Sequence, residues 1–93
     1  MHQTLHNMNA ANTSTAIRQF ILDRFPSSRR RPLEDTDPLI ENGIVDSLGV
    51  LDVVAFIESA FGVVVDDEEL VPENFQTVSK IAAYVERKNR ERT

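Results

Sequence analysis

Apolar residues recur at helical spacing in three segments of the chain, separated by prolines, glycines and polar runs. Side chains three and four positions apart lie on one face of an α-helix, so each segment predicts an amphipathic helix. We expect helices over residues 14–25, from residue 46 or 47 to residue 61, and over residues 77–88. The predicted core positions are Ile17, Phe20, Ile21 and Phe25; Val50, Val54, Ile57 and Phe61; and Val78, Ile81, Ala82 and Val85.

Residues that cap or stop helices mark the ends of these segments. Thr13 or Ser14 can cap the first helix and Thr77 the last, because a hydroxyl oxygen accepts a hydrogen bond from a free backbone N–H. Pro26 ends the first helix, and Gly62 ends the second by adopting a left-handed conformation.

The remaining segments show no helical period. Residues 1–12 are polar and predict a disordered tail ahead of a domain at residues 13–90. Residues 26–46 form a long loop, and residues 63–65 an extended connector. Residues 66–70 predict a short helical turn that ends at residues 72–74. The apolar residues expected to pin the long loop are Leu33, Leu39, Ile40, Ile44 and Val45.

Together these elements predict an all-α fold. It is a small four-helix bundle with three main helices, a short third helix and a long loop between the first two. No internal repeat or strand pairing competes with this prediction.

The charges of the chain are strongly segregated. Residues 34–73 contain twelve acids and no Lys or Arg, whereas the flanks hold all ten basic residues and three acids. A middle of −12 and flanks of +7 give the net charge of −5. Such a field repels nucleic acid and attracts basic partner surfaces, although an acidic face that only confers solubility remains the alternative. The chain shows no signal peptide and no membrane-length apolar run, so we expect a cytoplasmic protein that does not insert into membranes. We also expect a monomer.

Catalysis by this chain is not expected. Both histidines, His2 and His6, lie in the predicted tail, where a general base has no fixed position. Residues 46–49 match only half of a nucleophile elbow, because Val45 replaces the required glycine. Residues 66–69 lack the spaced ligands of a calcium loop, and the chain has no cysteine, so no metal site is predicted.

Ser47 stands at the predicted start of the second helix. A helix cap is its simplest interpretation, since Ser and Asp are common at that position. A helix start also stabilises anions, so a phosphodiester on Ser47 would be favourably placed. A cap alone leaves unexplained the apolar stripe beside it, which consists of Leu48, Leu51 and Ala55.

The motif Asp46-Ser47-Leu48 at the start of an amphipathic helix resembles the attachment motif of acyl and peptidyl carrier proteins. The resemblance covers about residues 17–86. It includes the lead-in LIENGIV at residues 39–45, the helix end at residues 58–63, the acidic segment at residues 66–69, and FQTV at residues 75–78. This ordered set is specific, whereas the triplet alone would be weak.

The resemblance implies a free-standing carrier. A phosphopantetheinyl transferase would attach 4′-phosphopantetheine from coenzyme A to Ser47, with Asp46 and Leu48 at the same site and Asp46 helping to position the transferase metal. The arm would carry an acyl or aminoacyl thioester between ligase, synthase and transferase enzymes of fatty-acid, polyketide or related biosynthesis. The surface that these enzymes recognise would consist of Leu48, Leu51, Asp52, Ala55 and Glu58.

Some positions depart from the family pattern. Gly49, Ser59 and Ala60 stand where many members have acids, which favours a specialised pathway over primary fatty acid synthesis. The basic run at residues 29–31 is interpreted as a solvated loop, with a partner site as the alternative. Two other functions stay open: a carrier fold that is never loaded and serves as an interaction domain, and an aminoacyl or D-alanyl carrier.

Overall fold

The computed structural model describes residues 10–92, and over that range it contains helices and no strand. Its α-helices are α1 (Ala10–Arg24), α2 (Gly49–Phe61), α3 (Pro72–Phe75) and α4 (Val78–Arg92), with two 3-10 helices at Pro26–Arg29 and Asp67–Glu69. The predicted class is therefore confirmed: three main helices, a short third helix and a long loop between the first two.

The core forms where α1 packs along α4 and α2 lies against both. All four positions predicted on α4 are confirmed as buried, as are Ile17 and Ile21 on α1. Phe20 and Phe25, also predicted as core, are only half-buried, and Phe25 lies just beyond the end of α1. On α2 the buried line is Gly49, Val53 and Ile57, spaced four residues apart. The prediction of Val50, Val54 and Phe61 as core was only partly right, because these side chains are half-buried and the helix is rotated towards Val53.

The first helix begins at Ala10, four residues earlier than predicted. Neither Thr13 nor Ser14 is its cap, because both lie inside α1. Thr13 is fully buried and donates a 2.6 Å hydrogen bond to Glu86 Oε2 on α4. The predicted tail overlaps this helix at residues 10–12, and its residues 1–9 lie outside the described range, so the domain boundary stays a prediction.

The last helix runs to Arg92, beyond the predicted end at residue 88. Its predicted cap is confirmed, because Thr77 Oγ1 accepts a 3.0 Å hydrogen bond from the Lys80 backbone N–H. The short helical turn predicted at residues 66–70 is present as a 3-10 helix, but the α-helix that follows it was not predicted. Residues 67–69 form a 3-10 turn, and α3 begins at Pro72, which had been taken as a breaker. Proline suits the first position of a helix because no partner is needed there for an N–H.

Backbone and ionic contacts hold the long loop on the bundle. Asp35 Oδ1 accepts hydrogen bonds from Arg18 Nε and Nη2 at 3.0 and 2.8 Å, and the Asp35 carbonyl accepts one from Ser79 N–H. Leu39, Ile44 and Val45 are buried as predicted, and Leu33 packs partly against the core. Ile40 does not pin the loop, since 45% of it is exposed.

Candidate functional site

The loop before Ser47 is tightly fixed. Ile44 and Val45 are buried, and their backbone N–H groups both donate to the Leu39 carbonyl, at 2.9 and 3.1 Å. Leu39 N–H in turn donates to the Gln76 carbonyl at the end of α3, at 2.9 Å. The chain therefore reaches Ser47 from a packed and hydrogen-bonded segment, which gives the serine a defined position.

Asp46 provides the side-chain cap at the start of α2. Its Oδ1 accepts a 2.6 Å hydrogen bond from Gly49 N–H, and its carbonyl accepts one from Val50 N–H at 3.3 Å. The regular helix begins at Gly49, three residues after the earliest predicted start, and Ser47 lies on the turn that leads into it. Among residues 10–92 the exposed Ser47 hydroxyl has no hydrogen-bond partner, so it is not a cap.

Gly49 is buried directly beneath this turn. A Cβ at this position would lie 2.7 Å from Phe25 Cε1, 3.0 Å from Val45 Cγ1 and 3.1 Å from Asp46 Oδ1. No larger side chain fits without moving the Phe25 ring. The absence of an acid here is therefore explained by close packing as well as by any difference in partner.

The exposed face of α2 carries the predicted apolar stripe. Leu48 is 76% exposed and Leu51 57%, and Ala55 is exposed as well. The two acids predicted beside the stripe both have partners within the chain. Asp52 forms a 2.9 Å ion pair with Arg24 of α1, and Glu58 Oε2 accepts a 3.0 Å hydrogen bond from Val65 N–H. The face is thus more apolar and less acidic than the sequence indicates.

A groove of about 410 Å³ opens beside Ser47. Its polar lining consists of Ser47, Glu41 and Gln76, and Gln76 Nε2 donates a 3.3 Å hydrogen bond to Glu41 Oε2. Its apolar lining consists of Ile40, Val50, Leu70, Val71, Pro72 and Phe75. An exposed hydroxyl at the edge of an apolar groove can anchor a flexible group and shelter its far end.

A polar cluster lies where the second 3-10 helix meets α4. Glu69 Oε1 accepts hydrogen bonds from Tyr84 OH at 2.8 Å and from Lys88 Nζ at 3.0 Å. The bond from Tyr84, followed by that from Lys88, lowers the pKa of Glu69 to about 2. Burial, followed by the bond to Glu69, raises the pKa of Tyr84, and the bond to Glu69 also raises the pKa of Lys88.

Sequence reasoning missed the groove and this cluster. Tyr84 carried a usable signal, because it follows the core residue Ile81 by three positions and so falls near the same helix face. The groove residues Leu70 and Val71 carried none, since they lie in a segment without a period. Their place beside Ser47 depends on how the chain returns between α2 and α4.

The remaining charged features are accounted for locally. Arg29 Nη1 donates to the Leu22 carbonyl near the end of α1, where the helix dipole favours a cation. Arg30 and Arg31 are exposed, as the solvated-loop interpretation expects. In the part of the chain that the structure describes, no three His, Cys, Asp or Glu side chains converge as metal ligands. No helix within residues 10–92 has the length and apolar character needed to cross a membrane.

The sequence matches the family model described as "Phosphopantetheine attachment site" over residues 22–85, more than two thirds of its length. This chain belongs to the phosphopantetheine-attachment family of carrier proteins. The carrier is 34% identical over 67 residues to a protein of Serratia sp. (strain ATCC 39006) described as "Probable acyl carrier protein PigG". That match covers 72% of this chain and 77% of the relative.

Among solved structures, the carrier is similar to a chain in a crystal structure described as that of an FAD-dependent dehydrogenase. The TM-score is 0.66 at 32% identity, and the match covers 74% of this chain and 97% of that chain. The family match implies a 4′-phosphopantetheine prosthetic group, and carrier domains of this family are generally non-catalytic. The similarity to an acyl carrier protein supports an acyl-carrier role. The unpaired Ser47 hydroxyl and the adjoining apolar groove are chemically suited to such a group.

Proposed function

We propose that Ser47 is the attachment point for 4′-phosphopantetheine and that the protein delivers an acyl or aminoacyl intermediate to partner enzymes. The exposed, unpaired hydroxyl at the first turn of α2 supports this proposal, because nothing else in the described chain uses it. The arm supplies the thiol for a thioester, which a chain without cysteine cannot supply itself.

Ser47 and Asp46 take distinct parts in the attachment reaction. Ser47 Oγ forms the new bond to the phosphorus that carries the pantetheine arm, its proton passes to a base of a phosphopantetheinyl transferase, and 3′,5′-ADP leaves from coenzyme A. The positive end of the α2 dipole favours the resulting phosphodiester, even though Gly49, Val50 and Leu51 already donate their N–H groups within the chain. Asp46 fixes the turn through Oδ1, and its other carboxylate oxygen, unpaired within the described residues, is proposed to contact the transferase metal.

The partner surface is proposed to be the exposed face of α2. Leu48, Leu51 and Ala55 would contact the loading ligase, synthase or transferase directly. Asp52 and Glu58 border this face, but their internal partners reduce the charge they can offer. We therefore propose that apolar contact contributes more to docking than charge does, and that the pathway is a fatty-acid, polyketide or related specialised biosynthesis in the cytoplasm.

The attachment site is tested by intact mass. The purified protein is incubated with coenzyme A and a promiscuous phosphopantetheinyl transferase, beside Ser47→Ala and the control Ser59→Ala, which changes an exposed serine near the end of α2. The wild type and Ser59→Ala should gain the mass of one phosphopantetheine, and Ser47→Ala should gain none. A gain that persists in Ser47→Ala places the arm elsewhere. No gain in the wild type with several transferases favours the unloaded interaction domain.

A flavin-dependent dehydrogenase is a more specific candidate partner. The matched stretch of about 69 residues (74% of 93) makes up 97% of the similar crystal chain, so that chain is about 71 residues long. This is too short for a dinucleotide-binding domain, which argues that it is a carrier crystallised with the dehydrogenase. If this partner is right, loaded protein should bleach the flavin's visible absorbance as the cargo loses two electrons and two protons. Unloaded protein should not.

A further inference from the structure

One short segment forms more than half of the groove lining. Leu70, Val71, Pro72, Phe75 and Gln76 supply five of its nine residues, and we call residues 70–76 the wall. The position of the wall relative to α2 therefore determines how wide the groove opens beside Ser47.

The two ends of the wall are held differently. At its C-terminal end Phe75 is 5% exposed, with its ring centroid 5.3 Å from that of Tyr84, and the Gln76 carbonyl is bonded to Leu39 N–H. At its N-terminal end Leu70 and Val71 are 38% and 37% exposed, so apolar burial holds that end only weakly.

Polar contacts through Glu69 hold the N-terminal end instead. Besides its bonds from Tyr84 and Lys88 on α4, Glu69 Oε1 accepts one from Asp66 N–H at 3.2 Å, and the Glu69 carbonyl accepts one from Asn74 Nδ2 at 2.8 Å. The residue thus ties the start of the wall both to α4 and to α3. Because the pKa of Glu69 is about 2 and that of Lys88 is raised, these contacts remain ionic at neutral pH.

Behind the groove lies a second cleft, which is closed. The cleft bounded by Leu39, Val45, Val53 and Ile81 cannot hold a water molecule, and it shares Ile40, Val50 and Phe75 with the groove. A long cargo chain can therefore be buried in the interior, beyond the open groove, only if the wall moves away from α2.

We propose that Glu69, Tyr84 and Lys88 form a clamp that fixes the wall and limits the cargo sheltered beside Ser47 to short acyl or aminoacyl groups. This inference rests on the proposed function, since it concerns what is attached to Ser47. The side chains of these three residues form no hydrogen bond with the Ser47, Glu41 or Gln76 side chains within the described residues, so they act as positioning residues.

The test compares the wild type with Glu69→Gln, Tyr84→Phe and the control Glu68→Gln. Glu68 is exposed on the same 3-10 turn, and its side chain forms no hydrogen bond or ion pair within the described residues. Each protein is loaded from acetyl- or decanoyl-coenzyme A, and the rate of thioester cleavage by hydroxylamine is followed by intact mass. In the wild type and Glu68→Gln, decanoyl should be cleaved as fast as from free decanoyl-pantetheine. In Glu69→Gln and Tyr84→Phe it should be cleaved roughly tenfold more slowly, because the freed wall lets the chain bury apolar surface. Acetyl should be unaffected.

Tyrosine absorbance gives an independent readout, because Tyr84 is the only tyrosine in the chain. Because burial and then the clamp's bond to Glu69 raise the pKa of Tyr84 in the wild type, its ionisation should move to lower pH in Glu69→Gln and stay unchanged in Glu68→Gln. Equal decanoyl cleavage in Glu69→Gln and Glu68→Gln, or protection already in the wild type, overturns the clamp while the arm's mass gain upholds the proposed function. A wild type that gains no arm overturns both.

Discussion

Ser47 and Glu69 are both polar residues next to the same groove, but the fold treats them in opposite ways. Ser47 is exposed, and no group of the described chain bonds its hydroxyl. Glu69 Oε1 accepts hydrogen bonds from three donors, and the Glu69 carbonyl accepts one from Asn74 as well. The Ser47 side chain is exposed and unbonded, whereas the Glu69 side chain is bonded to several groups of the chain through Oε1.

The contrast distinguishes residues that are available for chemistry from residues that stabilise the fold. A side chain with all its bonds made within the protein contributes to stability and has little capacity left for a partner. A free hydroxyl at a helix start contributes almost nothing to stability and is available for chemistry.

Acidification should produce the largest effect on stability, and it should act through Glu69. The bonds from Tyr84 and Lys88 lower the pKa of Glu69 from its ordinary 4.5 to about 2. A lowered pKa stabilises the folded state only while the carboxyl is ionised. This contribution is therefore complete above pH 4.5 and is lost as the pH falls towards 2. Urea unfolding followed by circular dichroism across this range should show the midpoint falling.

Two variants isolate that contribution. Glu69→Gln should be less stable than the wild type at neutral pH and should lose less on acidification, whereas Glu68→Gln should follow the wild type throughout. Parallel pH profiles for the wild type and Glu69→Gln would show that other carboxyls account for the acid sensitivity.

The sequence predicted the regular elements well because they carry a period. The buried residues Ile17 and Ile21 of α1, the core residues of α4 and the Thr77 cap were identified from spacing and residue type. The errors arose where tertiary contact overrides local signals. Thr13 looks like a cap in the sequence, but it is buried in α1 against Glu86, a residue more than seventy positions away.

The candidate site was predicted only in part, because only some of its residues lie in segments with a local sequence pattern. Ser47 and the exposed stripe follow from local pattern and family resemblance. The groove and the clamp could not be predicted, because they join segments that are distant in sequence. Asp52 shows the limit most clearly, since its ion pair with Arg24 depends on how α1 and α2 are placed.

Gly49→Ala should destabilise the protein by about 1–3 kcal/mol, because the added methyl would overlap the Phe25 ring. The sign is informative, since alanine is otherwise the better helix former by ~1 kcal/mol. Urea unfolding of Gly49→Ala, Phe25→Leu and the double variant measures the coupling. The cost should shrink once the ring is removed, and a cost that persists unchanged would refute the steric explanation.

Ser47→Ala should have the smallest effect on stability, within about 0.5 kcal/mol of the wild type, because the exposed hydroxyl has no partner to lose. Asp46→Ala is the matched comparison one residue away. It removes the bond to Gly49 N–H and should cost about 1 kcal/mol, as the loss of a helix cap does. Both are measured by urea unfolding at neutral pH on protein without the arm. If Ser47→Ala costs as much as Asp46→Ala, the hydroxyl serves as a cap, and its availability for attachment loses its main structural support. If only Asp46→Ala lowers the free energy of unfolding, Asp46 stabilises the turn, and the Ser47 hydroxyl is available for chemistry.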